Sequence, residues 1–258
     1  MSQEVPFHIP ALEQMKRYPS TLFYRGDLSL LSQPKVSIVG TRTPSLYTQE
    51  MTRQIAKALV ARGVCVVSGA AMGVDAIAHE AAGAANTIAV LGCGVDIRYP
   101  AINAPLIAQI EKEGLLLSQF NDGFRATKWS FVTRNELVVA LGDVLVVTEA
   151  DLKSGSLRSV AFAQKMQKPI FVLPHRIGES QGTNRLLQRA KAEPIYDVEQ
   201  FASLFGTAVE SEVKRDDFFY FCQQMPTLDE AVEKFGQRVY EAELEGTIVI
   251  DNGLLRLC

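Results

Sequence analysis

The sequence predicts an α/β fold: a Rossmann-like, mostly parallel sheet with helices on both faces, followed by a small C-terminal winged-helix domain. Three observations predict it. Short apolar, largely β-branched runs recur at 36–39, 64–67, 87–91, 115–117, 144–147 and 170–173, and several stop at glycine or a small polar residue. Stretches with helical periodicity lie between most of them, and strands alternating with helices at this rhythm give a parallel sheet covered on both faces. After a polar stretch at 206–213 the pattern changes to three short helices and a hairpin, the content of a winged helix.

The first unit to justify is the βαβ stretch from Val36 to His79. Its strands, 36–39 and 64–67, end at Gly40 and at Ser68-Gly69, and a helical pattern at 47–62 places Met51, Ile55, Ala58 and Leu59 on one face. A right-handed crossover makes the strands parallel, so both end at one edge of the sheet. Ligands bind at that edge in open α/β sheets. The polar side chains there are Arg42, Ser68 and Asp75, beside backbone left open by Gly40, Gly69 and Gly73.

The other elements follow in order. Residues 1–33 form a lead-in with a helical turn at 12–15 and a short strand at 21–24. After the strand at 87–91 come Gly92-Cys93-Gly94 and the turn Arg98-Tyr99-Pro100. Asn103 is read as the cap of a helix running to Glu113 and stopped at Gly114. Further helices are expected at 129–141, 156–166 and 184–190, the last after a Gly/Ser-rich loop at 178–183, and a short seventh strand at 194–196. The large domain is thus 34–205, the linker 206–213 and the tail 214–258. In the tail, helices are expected at 217–224, from a Thr227 cap to Phe235, and at 238–244. A hairpin of 247–250 and 254–257 turns at Asp251-Asn252-Gly253.

Composition narrows the function classes. The formal net charge is −3, unlike that of a typical nucleic-acid binder, but from Glu212 onward ten acidic and five basic residues give −5, leaving 19 acidic and 21 basic residues, +2, in the rest. A polyanion would therefore meet the large domain, through a local cluster. No apolar run reaches the ~18 residues of a membrane span, and the N-terminus lacks a signal-peptide layout, so a cytoplasmic location without membrane insertion is expected. Cys65, Cys93, Cys222 and Cys258 are scattered, without C-x-x-C spacing, and read as free thiols.

Candidate chemistry concentrates in a few places. Lys153-Ser154-Gly155-Ser156 follows the strand at 144–147 and heads a helix, where free N–H groups bind anions. The spacing is not that of a nucleotide P-loop, and an ordinary serine cap fits the same residues. Phe131, Arg134 and Asn135 open a helix just after Lys128. An aromatic ring beside cations is how single strands are held, base on ring and phosphate on cation. The competing reading makes Phe131 a core residue and pairs Arg134 with Glu149 or Asp143. Gly92-Cys93-Gly94 lacks the third glycine of a dinucleotide turn, position 97 being Ile97. His79 reads as structural. A Ser68/Asp75/His79 triad lacks the nucleophile elbow, and His8 and His175 have no metal-ligand spacing with His79, so no metal and no cofactor are expected.

Gly40-Thr41-Arg42 with Pro44-Ser45 and Tyr47, followed by Ser68-Gly69-x-Ala71-x-Gly73-Val74-Asp75 and His79, resembles the DprA (Smf) family. These are bacterial single-strand DNA-binding proteins of natural transformation that hand DNA to the RecA recombinase. The resemblance continues through Thr87 to Gly92, Asp96, Tyr99-Pro100, Asn103, Phe131-x-x-Arg134-Asn135, Glu149-Ala150, Ser154-Gly155-Ser156, Pro174 and Gly182-x-Asn184. It implies a non-enzymatic, dimeric DNA-binding protein whose pocket holds Arg42, Lys128, Phe131, Ser154, Gly155 and Ser156. Lys165 and Asn184 are added by their nearness to these motifs. On this reading Arg42, Lys128, Arg134 and Lys153 contact phosphates, Phe131 stacks on a base, and the Gly69 and Gly155 turns donate N–H. The tail, with Leu244-Glu245-Gly246 before its hairpin, resembles the family's winged helix. Many members carry a further helical domain ahead of the lead-in, for which this sequence has no room. Glu136 stands where a second Arg is usual, Gln119 replaces a Glu, and His175 replaces a Gly. The alternative is a nucleotide-binding enzyme of the same fold, a nucleoside monophosphate phosphoribohydrolase, whose P-G-G-x-G-T loop is absent here.

Overall fold

The computed structural model describes residues 2–206, 217–251 and 253–257. The chain divides into two compact units, residues 1–209 and 210–258. Most of the predicted linker, Asn252 of the hairpin turn and Cys258 lie outside the described residues.

The first unit is built on nine strands in the order β1-β2-β6-β5-β4-β3-β7-β8-β9. They are β1 (Gln3–Glu4), β2 (Phe23–Gly26), β3 (Lys35–Val39), β4 (Cys65–Ser68), β5 (Thr87–Leu91), β6 (Leu115–Ser118), β7 (Val144–Val147), β8 (Ile170–Val172) and β9 (Glu193–Pro194). β2 pairs antiparallel with both β1 and β6, and all pairings from β6 through β9 are parallel. Val36 lies in register with Val66 on one side and Val144 on the other. The two-residue β1 and the short helix α7 (Val198–Ser203) escaped the sequence reading.

Alternation along β3 explains how the sheet is covered. Val36 and Ile38 face a core shared with α1 (Leu46–Val60), α2 (Val74–Ala82) and α7. Val39 faces the opposite core, shared with α4 (Lys128–Leu141), α5 (Ser156–Lys165) and the lead-in residues Ile9, Leu12 and Leu30. On that same side the Ser37 hydroxyl donates to the Val138 carbonyl at 2.6 Å. Residues 1–33 thus contribute to the main core and sheet. α3 (Ala104–Glu113) covers β5 and β6 through Ile107 and Ile110, and α6 (Gln181–Gln188) starts three residues earlier than expected.

Local signals fix the helix ends. Ser45 caps α1 by accepting from the Thr48 N–H, and Thr127 and Ser130 form a reciprocal capping box at α4. Asn103 corrects the sequence reading. Its side chain does not cap α3. Instead its Nδ2 donates to the carbonyls of Ala70 and Ala71, both at 3.0 Å, and braces the turn after β4.

The winding creates a crevice. From β3 the chain builds outward through β4 and β5 to β6, then returns by way of α4 to lay β7 on the other side of β3. The loop after β3 enters α1 on one face, while the loop after β7 enters α5 on the other. Loops that part in this way leave a cleft at the carboxyl ends of the strands.

In the second unit, α8 (Asp217–Cys222), α9 (Leu228–Phe235) and α10 (Arg238–Leu244) precede a hairpin of β10 (Ile248–Asp251) and β11 (Leu254–Leu257). Thr227 and Glu230 form a capping box at α9. Phe218, Cys222, Ala231, Val239, Ala242, Ile248 and Leu255 make its core.

Candidate nucleic-acid interface

The crevice encloses about 490 Å³ and is walled by the loops after β3, β4 and β7, by the middle of α4 and by the first turn of α5. It gathers Arg42, Gly69, Arg134, Asn135, Lys153, Ser154, Gly155 and Ser156 of the predicted site. A smaller apolar pocket opens beside it between Met72, Tyr99 and Phe131, sharing Arg42, Gly69, Ala71 and Arg134 with the crevice.

The turns after β3 and β4 interlock. Gly73 has φ +77°, and a side chain there would meet the Thr41 carbonyl at 2.5 Å. The first N–H of α2, on Val74, donates to that same carbonyl at 3.1 Å. The Gly-Thr-Arg turn is therefore held by the second glycine motif, and Arg42 projects from it, exposed. Its guanidinium carbon lies 5.9 Å from the centre of the Phe131 ring, with Arg134 at 5.8 Å. Among the described residues neither Arg42 nor Lys153 makes an ion pair.

Arg134 differs from Arg42 in kind. Only 5% of it is exposed. Its Nη1 lies 3.7 Å from Asp75 Oδ2 and 3.4 Å from the Val90 carbonyl, and its Nε has no hydrogen-bond partner among the described residues. Neither expected partner is used: Glu149 accepts from the Ser45 N–H and hydroxyl, and Asp143 from the Lys35 N–H. Burial raises the Asp75 pKa and lowers that of Arg134, and each charge opposes the other's shift. Arg134 forms the floor of the crevice, and Arg42 and Lys153 its exposed cations.

The groups of the rejected triad are occupied. The Ser68 hydroxyl donates to the Ile38 carbonyl at 2.6 Å. Thr87 donates its hydroxyl proton to Val66, so His79 Nδ1, 2.6 Å from that oxygen, must donate to it. His79 Nε2 then accepts from the Ala70 N–H. Burial foremost, with Arg134 nearby, lowers the His79 pKa to about 3.

At the 153–156 loop the serines serve the loop itself. Ser156 Oγ donates to the Gly40 carbonyl at 2.7 Å, tying the two sides of the crevice together, and Ser154 Oγ accepts from the Ser156 N–H. This leaves Lys153 and the exposed Gly155 backbone as the groups facing an anion. Lys128 is exposed at the first residue of α4, one turn before Phe131.

Two predicted residues do not join the site. Lys165 is exposed in the last turn of α5, nine residues and therefore about 13 Å along the helix from Ser156. Asn184 clamps its own loop: its Oδ1 accepts from the His175 N–H, and its Nδ2 donates to the carbonyls of His175, Arg176 and Glu179. The departures also find places. Glu136 points away from the crevice and accepts from the Lys16 N–H at 3.1 Å. His175 Nε2 lies 2.8 Å from the Thr148 carbonyl, to which it donates. Gln119 Oε1 is buried without a hydrogen-bond partner among the described residues. Tyr99, read from sequence as part of a turn, is a wall of the aromatic pocket. Its signal was an aromatic residue in a loop at the same sheet edge.

The family model for DNA recombination-mediator protein A matches residues 3–206. The chain belongs to this family. It is 37% identical over 196 residues to protein Smf of Synechocystis, an alignment covering 73% of this chain and 49% of Smf. DNA processing protein DprA of Streptococcus pneumoniae is 35% identical over 181 residues, covering 69% of this chain and 64% of that protein. Alignments with these curated relatives span about half to two thirds of their length. A structure of DNA processing protein A from Helicobacter pylori, concerned with that protein's single-stranded DNA binding mode, superposes with a TM-score of 0.77 at 42% identity. It covers 79% of this chain and 95% of the other. The X-ray structure of the Streptococcus pneumoniae protein gives 0.72 at 32% identity, covering 80% and 74%. The recombination-mediator match thus spans almost all the described residues of the first unit, and the second unit lies beyond it.

Proposed function

We propose that the chain binds single-stranded DNA in the crevice at the β3/β7 junction and carries out no chemistry on it. The observation that carries this reading is Arg42, exposed, without an ion pair among the described residues, and poised over the half-buried Phe131 ring. A base stacked on that ring would have its phosphate beside Arg42, Lys153 or the Gly155 N–H, with Lys128 at the rim. The related Helicobacter pylori protein, studied for its binding of single-stranded DNA, supports the same reading. The hydrolytic triad has no free group, since Ser68, Asp75 and His79 are all engaged within the protein, and the phosphoribohydrolase alternative is left to the assay below.

On the same reading the chain acts in the cytoplasm as a homodimer, protects incoming DNA during natural transformation and delivers it to RecA. The acidic second unit, proposed as a winged helix, serves protein contact. The test is titration with oligothymidylate and with a blunt duplex of equal length at two salt concentrations. Single strands should bind far better, with a log–log salt slope of about 0.7 per phosphate contact. Equal affinity for duplex, or turnover of a nucleoside monophosphate, would overturn the proposal.

A further inference from the structure

The aromatic pocket has a second exit. Tyr99, half exposed, stands at its outer wall with its ring centre 5.9 Å from that of Phe131. The same residue lines an open groove of about 490 Å³ with Ile97, Arg125 and Ala126. The crevice and the aromatic pocket share Arg42 and Arg134 as walls, and the aromatic pocket and this groove share Tyr99. The three adjoin one another through these shared walls.

The groove has the chemistry of the crevice in smaller measure. Among the described residues, no acidic one lines it. Arg125 is exposed and, among the described residues, has no ion-pair partner. Two carboxylates of these loops are held in place by hydrogen bonds and keep their charge, Asp96 accepting from the Gly123 N–H and Asp122 from the Ser2 N–H. The loop that carries Arg125 is held by Phe120 and Phe124, stacked with ring centres 4.5 Å apart, and by Trp129 against both. A half-exposed ring beside an unpaired guanidinium on a braced loop is a stacking platform with a phosphate contact.

We propose that this groove is a second nucleotide subsite. The strand held in the crevice continues past Phe131, its next base stacks on the outer face of Tyr99, and the following phosphate meets Arg125. This rests on the single-strand reading given above. It adds that affinity depends on strand length through a group outside the crevice.

The experiment measures fluorescence anisotropy with oligothymidylates of about 4 and about 12 nucleotides, both within the roughly 4–16-nucleotide site sizes of single-strand grooves. Wild type should bind the longer one more tightly. Arg125→Glu should keep wild-type affinity for the short oligomer and lose about tenfold on the long one, the scale of one charge-assisted contact. Arg125→Ala should show the same pattern more weakly, and 2-aminopurine placed along the strand should be quenched at one position by stacking on Tyr99 and recover in Tyr99→Leu. If wild type binds both oligomers without gain from length, or if Arg125→Glu affects both lengths equally or neither, the subsite is wrong while the crevice stands. If wild type binds neither, both readings fall.

Discussion

The guanidinium of Arg134 fills the space beside Gly69: a Cβ built on Gly69 would lie 1.1 Å from its Nη1. The side chain reaches Asp75 only because that space is open. Gly69→Ala should therefore expel Arg134, while Arg134→Met should leave the Asp75 carboxylate buried and unpaired. Breaking a buried pair from one side costs about 3–5 kcal/mol. Both variants should unfold at clearly lower urea concentration than wild type, and Arg134→Lys should rescue poorly because an ammonium lacks the planar fork. Wild-type urea midpoints in both would show that the pair contributes nothing.

The exposed cations should behave in the opposite way. Arg42→Glu and Lys153→Glu remove positive charge from the crevice without disturbing a buried contact. Each should weaken binding of oligothymidylate by about ten- to a hundredfold, the worth of a charge-assisted hydrogen bond, and change stability by less than about 1 kcal/mol. Arg189→Glu, exposed at the end of α6 away from the crevice, is the control and should bind as wild type. Anisotropy and thermal melts on all three decide the matter.

His79 gives the chain an acid-labile core. Its pKa falls from 6.5 in the unfolded chain to about 3 in the fold. Between those values the unfolded state holds more protons, so its contribution is complete above pH 6.5 and declines as pH falls toward 3. The slope from one such group approaches about 1.4 kcal/mol per pH unit. Urea midpoints measured from pH 7.5 to 4 should fall more steeply for wild type than for His79→Gln, which has no proton to gain. Parallel curves would mean that the imidazole is not held neutral.

Glu136 should matter to the lead-in and not to DNA. Its carboxylate receives the Lys16 N–H, a bond worth about 1.5–3 kcal/mol when one partner is charged and less where solvent reaches it. Glu136→Ala should increase proteolysis within residues 1–33 while oligothymidylate affinity is unchanged. Tighter DNA binding in this variant would return the carboxylate to the groove.

A chain ending at residue 209 tests the second unit. With a net charge of −5 from Glu212 onward, this unit should repel phosphate, and its removal should leave single-strand affinity within tenfold. A larger loss would make it part of the DNA interface.

The sheet was legible because its signals are local. β-branched runs such as Val36 to Val39 end at glycine, and periodicity named the inner face of α1. What stayed hidden depended on distant residues. Asn103 sits where a helix cap belongs, yet its amide finds the Ala70 and Ala71 carbonyls, brought near only by the fold. Arg134 was expected at a phosphate, and the competing reading offered it acidic partners close by in sequence, Glu149 and Asp143, while its actual partner, Asp75, is 59 positions away. Lys165 and Asn184 were placed by sequence proximity to motifs, but α5 carries Lys165 about 13 Å off and the loop before α6 absorbs every polar atom of the Asn184 amide. Tyr99 was missed because a turn residue shows no periodicity.

The walls of the crevice come from segments as far apart as Arg42 and Ser156, which meet only once β7 has docked beside β3. A chain that has made β3 to β6 but not yet placed β7 owns half of those walls and so should have no grip on DNA. If the proposed function holds, oligonucleotide capacity would therefore count finished molecules, even where spectroscopic signals of partly and fully assembled chains overlap. The coupling also runs backward. A ligand that recognises only the completed state stabilises it by a free energy that grows with the logarithm of ligand excess, about 2.7 kcal/mol at a hundredfold excess over Kd, so on the proposed reading single strands would double as a chemical chaperone for the sheet.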